Sequence, residues 1–307
     1  MPSFSYLPIS FAVAKPVNTV PPTITLMGEK LTILEYGEVY TEEGYTATDD
    51  IEGDITDEVE VSTIDYTPGT NIITYTAKDS SGNIATAERH IFVKSEHSRE
   101  SVPTKSVFLT FDDGPCKYTE EILDILAKYN VKATFFVTGQ MPDYSYVMKR
   151  IVDEGHTIAV HTYSHSYNIY SSSDAFFADL NKINDLIYKE TGRYSVITRF
   201  PGGSSNKISK KYKEGIMSEL SVKLTDKGYI YYDWNVDSGD TSTTKPEKIV
   251  KNVTSSLKEG HSIVLLHDLK SANITALPQI IEYCQKNGYT LLPMSDKTPI
   301  VRHSINN

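Results

Sequence analysis

Cysteine is scarce, with two residues in 307. That excludes a disulfide-stapled scaffold and a four-cysteine zinc module. No uninterrupted apolar run approaches the roughly 20 residues a helix needs to cross a bilayer, so a soluble chain without a membrane span is expected. Positive charge is short too. The formal net charge is −10, and nucleic-acid phosphates would repel such a chain, which argues against a nucleic-acid partner. Residues 1–20 lack a basic start and a small-residue cleavage site, so 1–21 reads as a stub or linker and not as an intact signal peptide. Core-forming material is ample: hydrophobic residues make up 39% and charged ones 23%. That composition excludes a disordered or fibrous chain. The length is about twice that of a single domain, so two domains are expected.

The acidity is concentrated near one end. Residues 21–95 hold 15 Asp/Glu against 4 Lys/Arg, a net of −11, while the rest of the chain nets +1. Such asymmetry indicates two units of separate history. We place the first over 22–95, a linker over 96–104 in the polar run from Ser95, and the second over 105–307. From Thr23 the first unit shows short alternating runs, TITLMG, LTILEYG, VEVSTID, NIITYTAKD and ERHIFV, with turn signals about every ten residues. This is the pattern of an all-β sandwich. The order YTATDDIEGDIT … GTNIITYTAKDSSGNIATAERHIFV resembles the Ig-like modules of bacterial surface proteins, which implies a spacer or an attachment to wall material. Asp49, Asp50 and Asp54 offer hard oxygen ligands that would suit calcium, although acidic turns are more often simply solvated.

After Pro103 the pattern changes. Apolar runs (SVFLTF, ATFFVT, TIAVHT, VITRF, YIYYDWNV, SIVLLHD, YTLLPM) alternate with amphipathic stretches such as YTEEILDILAKYN. Helix ends are expected at Gly155, Gly192, Gly228, Gly260 and Gly288, as a left-handed C-cap favours. Seven strands each linked by a helix imply parallel pairing, in a closed or distorted barrel or in an open doubly wound sheet. Either way, side chains at the carboxyl ends of the strands converge. Those residues are Asp112-Asp113, His161, Arg199, Asp237 and His267.

Adjacent carboxylates at Asp112 and Asp113 repel unless a cation neutralises one of them. One can then bind metal while the other faces water, although Asp-Gly-Pro is also ordinary turn chemistry. His161 and His165 are four apart, and on one helical turn they would share a face and chelate an ion. Two imidazoles and a carboxylate suit zinc, with cobalt, nickel and iron also compatible. Arg199 cannot lose its proton and beside Asp112 would keep that carboxylate ionised; the alternative is a tight turn with an exposed Arg. The glycines that follow it could donate amides to an oxyanion. His267 needs a partner to be protonated at neutral pH, and Asp237 or Asp240 could supply it. Trp234 reads as core.

In this order TFDDGP, HTYSH, RFPGG, DWNVDSGD and LLHD resemble the five motifs of the NodB-homology polysaccharide deacetylases, carbohydrate esterase family 4, from about Val107 to Met294. The resemblance implies a distorted (β/α) barrel in which a divalent metal removes acetyl groups from N-acetylated sugars. By position, Asp113, His161 and His165 would hold the metal and Asp112 would be general base, set by Arg199. His267 would be general acid, tuned by Asp240. The Gly202 amide would help hold the oxyanion, and Leu265 would line the acetyl-methyl pocket. Two positions depart from the pattern. Thr241 follows Asp240 where Trp is usual, and Gly202 stands where an aromatic residue is frequent. A Cys116–Cys284 bridge is a minor alternative to two packed thiols. The expected partner is an N-acetylated polysaccharide, peptidoglycan first and chitooligosaccharide next, at a bacterial cell surface. The rival readings are an O-acetyl esterase acting on xylan, a glycosidase with paired carboxylates, and a non-catalytic wall-binding protein.

Overall fold

The computed structural model describes residues 18–96 and 102–307. Residues 1–17 of the expected stub and 97–101 of the expected linker lie outside the described residues. Packing divides the described residues into two compact units: the smaller holds 18–31, 40–65 and 72–90, and the larger holds 32–39, 66–71 and the described residues from Ile91 to Asn307.

The N-terminal strands are β1 Thr23–Leu26, β2 Leu31–Leu34, β3 Tyr45–Asp49, β4 Gly53–Asp54, β5 Glu60–Val61, β6 Gly69–Lys78 and β7 Ile84–Val93. They form two sheets, in the orders β1-β3-β4 and β2-β7-β6-β5, which is the Ig-like sandwich that the alternation led us to expect. In β6 the alternation is plain, since Ile73, Tyr75 and Ala77 are buried between more exposed neighbours. The turn into β7 is closed by Asp79, whose carboxylate accepts from the Asn83 amide at 2.7 Å and the Asn83 side chain at 2.7 Å. Two of the three carboxylates considered for calcium serve their own turns. Asp49 accepts from the Ile51 and Glu52 amides at 2.9 and 3.0 Å, and Asp54 accepts from the Thr56 amide at 2.9 Å.

The larger unit is a parallel sheet wrapped by helices. Its strands are β8 Ser106–Asp112, β9 Thr134–Val137, β10 Thr157–Val160, β11 Ile197–Thr198, β12 Ile230–Tyr231, β13 Val236–Asp237, β14 His261–His267 and β15 Thr290–Leu291. The helices are α1 Thr119–Lys128, α2 Val147–Asp153, α3 Ser173–Thr191, α4 Ile216–Asp226, α5 Pro246–Ser256 and α6 Ala272–Lys286. The sheet runs β12-β11-β10-β9-β8-β14-β13, with β15 beside the start of β8, and its pairs are parallel. All seven residues of β8 are buried, as a strand covered on both faces requires.

One expectation fails here. The run 229–236, read as a single strand, is two strands at opposite edges of the sheet. Laid flat, the edges of a seven-strand sheet would be about 29 Å apart, from six spacings of ~4.8 Å. Five residue steps from Tyr231 to Val236 reach at most about 17 Å. The sheet therefore curls almost shut, which decides for the distorted barrel over the open sheet. Asn235 makes the crossing by joining β14: its amide donates to Ile263 O at 3.1 Å, and its side-chain oxygen accepts from the Ile263 amide at 2.8 Å. An uninterrupted apolar run carries no sign of such a break.

Helix ends follow local chemistry. Ser172 caps α3 by accepting from the Ala175 amide at 3.0 Å, and Gly192 ends it with φ +72°. Gly155, Gly228 and Gly288 are also left-handed, whereas Gly260 is not. The last lies in the turn before β14, four residues beyond the end of α5, so it caps nothing.

Alternation along the strands sorts the core. Val107, Leu109, Phe111, Phe135, Val137, Val160, Val264 and Leu266 pack toward the helices. Phe108, Phe136, Ala159, Ile197 and Ile263 fill the barrel interior. Stepping by two from this inner row reaches Thr110 and Asp112, His161, Arg199, and Leu265 and His267. The interior is thus apolar at the amino ends of the strands and polar at their carboxyl ends.

Candidate active site

His267 and Asp112 are paired across β14 and β8, and Leu265 pairs with Thr110 one step below. Asp113 is out of phase with the inner row. It enters the site because its backbone is left-handed, with φ +77°, which turns its carboxylate back over the strand end.

Three ligand atoms meet there. Asp113 Oδ1 lies 3.2 Å from His165 Nε2 and 3.5 Å from His161 Nε2. Among the described residues this is the only group of three His, Cys, Asp or Glu whose ligand atoms all lie within 4.8 Å. His161 Nδ1 sits 2.8 Å from the Arg199 carbonyl. That oxygen can only accept, so Nδ1 carries the proton and Nε2 offers its lone pair. Burial holds the His161 pKa below its ordinary value, keeping the ring neutral as ligation requires. Asp113 Oδ1 is buried without a hydrogen-bond partner. An orphaned carboxylate oxygen facing two imidazoles fits a divalent cation, and the nitrogen-rich donor set suits zinc-type metals.

The histidines do not share a helical turn. They sit in a loop after β10, bent by left-handed backbone at Thr162 (φ +63°) and His165 (φ +50°), which brings the ring centroids to 4.9 Å. Asp179 of α3 holds this loop, since its Oδ1 accepts from the Tyr163 and Ser164 amides at 2.6 and 3.0 Å. The expected helix is therefore replaced by a carboxylate clamp that no local spacing reveals.

Arg199 is completely buried. It donates to Asp112 Oδ1 at 2.7 Å, Thr110 Oγ1 at 2.8 Å, and the carbonyls of Tyr232 and Asp233 at 3.2 Å each. Its guanidinium also lies 4.0 Å above the Phe136 ring. The loop after it is a tight turn closed by the Gly203 amide on Phe200 O at 2.8 Å, with Gly202 and Gly203 both at φ +78°. Tyr170 fixes the turn by donating to Pro201 O at 2.9 Å. Gly202 is exposed at the mouth of the site. Thr241 is also exposed, so no bulky wall rises from that position.

Of the two carboxylates offered to His267, the structure selects Asp240. Its Oδ1 is 2.9 Å from His267 Nδ1, and its Oδ2 accepts from the His267 amide at 2.7 Å and the Asn273 side chain at 2.7 Å. Asp237 is exposed and caps the Gly239 amide instead. Burial opposes a charged His267. The Asp240 hydrogen bond, with the charge of Asp112 and Asp240, outweighs that effect and pushes the imidazole up to about 9. Burial likewise works against ionised Asp240, yet its bonds to His267 and Asn273 hold it below its ordinary value. His267 is thus protonated at neutral pH.

Cys116 and Cys284 are free, buried thiols, so the bridge is not formed. Cys116 donates to Asp268 O at 3.2 Å, and Asp268 accepts from Thr119 at 2.6 Å while packing against Gly114. Trp234 is partly buried and packs against the interior cluster, as expected of a core residue, with His303 at 4.7 Å between ring centroids.

Known proteins are similar to this chain. A polysaccharide deacetylase family model matches residues 99–216, and a model for the Ig-like domain of bacterial surface proteins matches 24–93. The chain is similar to the catalytic domain of a peptidoglycan N-acetylglucosamine deacetylase from Eubacterium rectale. That match has 47% identity and a TM-score of 0.66, covering 69% of this chain and 99% of that one. It is 32% identical over 200 residues to a peptidoglycan-N-acetylglucosamine deacetylase of Bacillus cereus, covering 62% of this chain and 87% of the relative. To the peptidoglycan-N-acetylmuramic acid deacetylase PdaA of Bacillus subtilis it is 32% identical over 197 residues, covering 62% of this chain and 71% of the relative.

Proposed function

Because the chain belongs to the polysaccharide deacetylase family, we propose that it is a metal-dependent N-deacetylase, acting on N-acetylglucosamine units of peptidoglycan and releasing acetate. The observation that carries this reading is the meeting of Asp113, His161 and His165 beside Asp112, itself gripped by buried Arg199.

Each residue has a role in this reading. Asp113, His161 and His165 hold a divalent cation, zinc first, which supplies carbonyl polarisation and a more acidic water. Asp112, held in place by Arg199, removes a proton from the attacking water. The Gly202 amide donates to the acetamide oxygen as it gains charge. His267, held by Asp240, gives its proton to the leaving nitrogen as the C–N bond breaks and the oxyanion's electron pair re-forms the carbonyl of acetate. Leu265, at the inner end of the site, lines the space for the acetyl methyl. Adjacent Asp112 and Asp113 cannot flank a sugar ring from opposite sides, which disfavours a glycosidase.

The Ig-like unit over 22–95 carries the catalytic unit over 105–307 at the surface of a bacterium, attached to wall material. The match of residues 24–93 to a bacterial surface domain supports this. The test is acetate release from peptidoglycan glycan strands, chitooligosaccharide and acetylated xylan. Preferential release from peptidoglycan is expected, whereas release from xylan alone would make the chain an O-acetyl esterase.

A further inference from the structure

Gly202, the amide donor of the proposed mechanism, has an unusual neighbour. A Cβ built on Gly202 would lie 2.7 Å from the Tyr167 hydroxyl and 3.4 Å from Tyr167 Cε1. The phenol therefore fills the space that a side chain at 202 would take, so a larger residue there would have to displace it, which favours glycine. The left-handed φ of +78° imposes the same choice independently.

Tyr167 reaches this place from the metal-ligand side of the site. It lies two residues past His165, at the start of the short helical turn Tyr167–Ser171. Its ring stands edge-on to the His165 ring at 6.5 Å. The same turn carries Tyr170, whose bond to Pro201 O at 2.9 Å locks the ligand loop to the glycine turn. The Tyr167 ring thus stands beside His165 while its hydroxyl reaches Gly202, and among the described residues no protein group takes its proton. In the reading above, the acetamide oxygen is held between the cation and the Gly202 amide, and Tyr167 adjoins both a ligand of that cation and Gly202.

We infer that Tyr167 is a further catalytic residue, its hydroxyl donating a second hydrogen bond to the acetamide oxygen as that oxygen becomes an oxyanion. No proton is transferred. The phenol stays intact and its O–H dipole stabilises charge that exists only in the transition state. This inference rests on the deacetylase reading above.

Tyr167→Phe removes the oxygen and leaves the ring. Wild type and variant are compared in acetate release from peptidoglycan strands and from an O-acetylated xylan, alongside thermal melting. Both reactions form the same oxyanion, so whichever substrate the wild type turns over should show the loss. The expected result is a kcat about a hundredfold lower, the usual cost of one oxyanion donor, with KM and melting temperature unchanged. A variant with wild-type kcat overturns the inference and leaves the deacetylase reading standing. So does a variant whose loss lies in KM alone, because that marks ground-state sugar contact. A wild-type protein that releases no acetate from any substrate overturns both.

Discussion

Asp112→Asn is expected to lower turnover by roughly 10²–10⁴-fold, the range for loss of a general base, with metal affinity nearly unchanged. The two halves of this result have separate causes. Asparagine is nearly isosteric and its carbonyl can still accept from Arg199, so the loop geometry persists, but an amide cannot take a proton from water. Asp112 Oδ2 is 3.7 Å from His161 Nε2, and Asp112 stands outside the Asp113, His161 and His165 group. Steady-state acetate release and metal titration of the same preparation check both halves. A fully active Asn variant refutes the base assignment.

Arg199→Met has the largest expected effect on stability. Arg199 is 0% exposed and its partner Asp112 only 2%, so methionine leaves a buried carboxylate without its cation. Breaking a buried pair in this way costs about 3–5 kcal/mol. The Tyr232 and Asp233 carbonyls and Thr110 lose a donor as well. For a domain of this size each kcal/mol lowers Tm by about 2–4 °C, so the expected fall is roughly 6–20 °C. Differential scanning calorimetry measures it. The double replacement Asp112→Leu with Arg199→Met should recover part of that loss, because removing both charges removes the uncompensated one. A single Met variant that melts with the wild type would mean that solvent reaches Asp112 and that the pair is not the buried anchor described above.

The sequence made much of this site legible for one physical reason. Strand alternation places Asp112, His161, Arg199 and His267 on one inward row at the carboxyl ends of apolar runs, and that row can be counted without coordinates. What could not be counted was backbone that leaves the regular regions. Asp113 enters through a left-handed residue, and His165 through two of them in a loop, where four-residue spacing suggested a helix. The clamps were hidden for a different reason. Asp179 and Asn273 lie on α3 and α6, and neither helix advertises the loop it will hold. The residues alone left Asp237 and Asp240 equal, because the deciding factor is which carboxylate faces β14, and the family resemblance singled out Asp240. The split of 229–236 depended on closure of the whole barrel, a property of the sheet that its strand sequences do not show. The Ig-like unit was easier, because alternating runs and an Asp-Ser-Ser-Gly-Asn turn report their own geometry locally.

The account stands on a metal centre, and calorimetric titration of the metal-free chain with zinc examines it directly. One ion per chain should bind, with His165→Ala and Asp113→Ala each reducing affinity by at least a hundredfold while the chain still melts cooperatively. Zinc binding of equal strength and stoichiometry in the wild type and both variants would place the ion elsewhere and contradict the account.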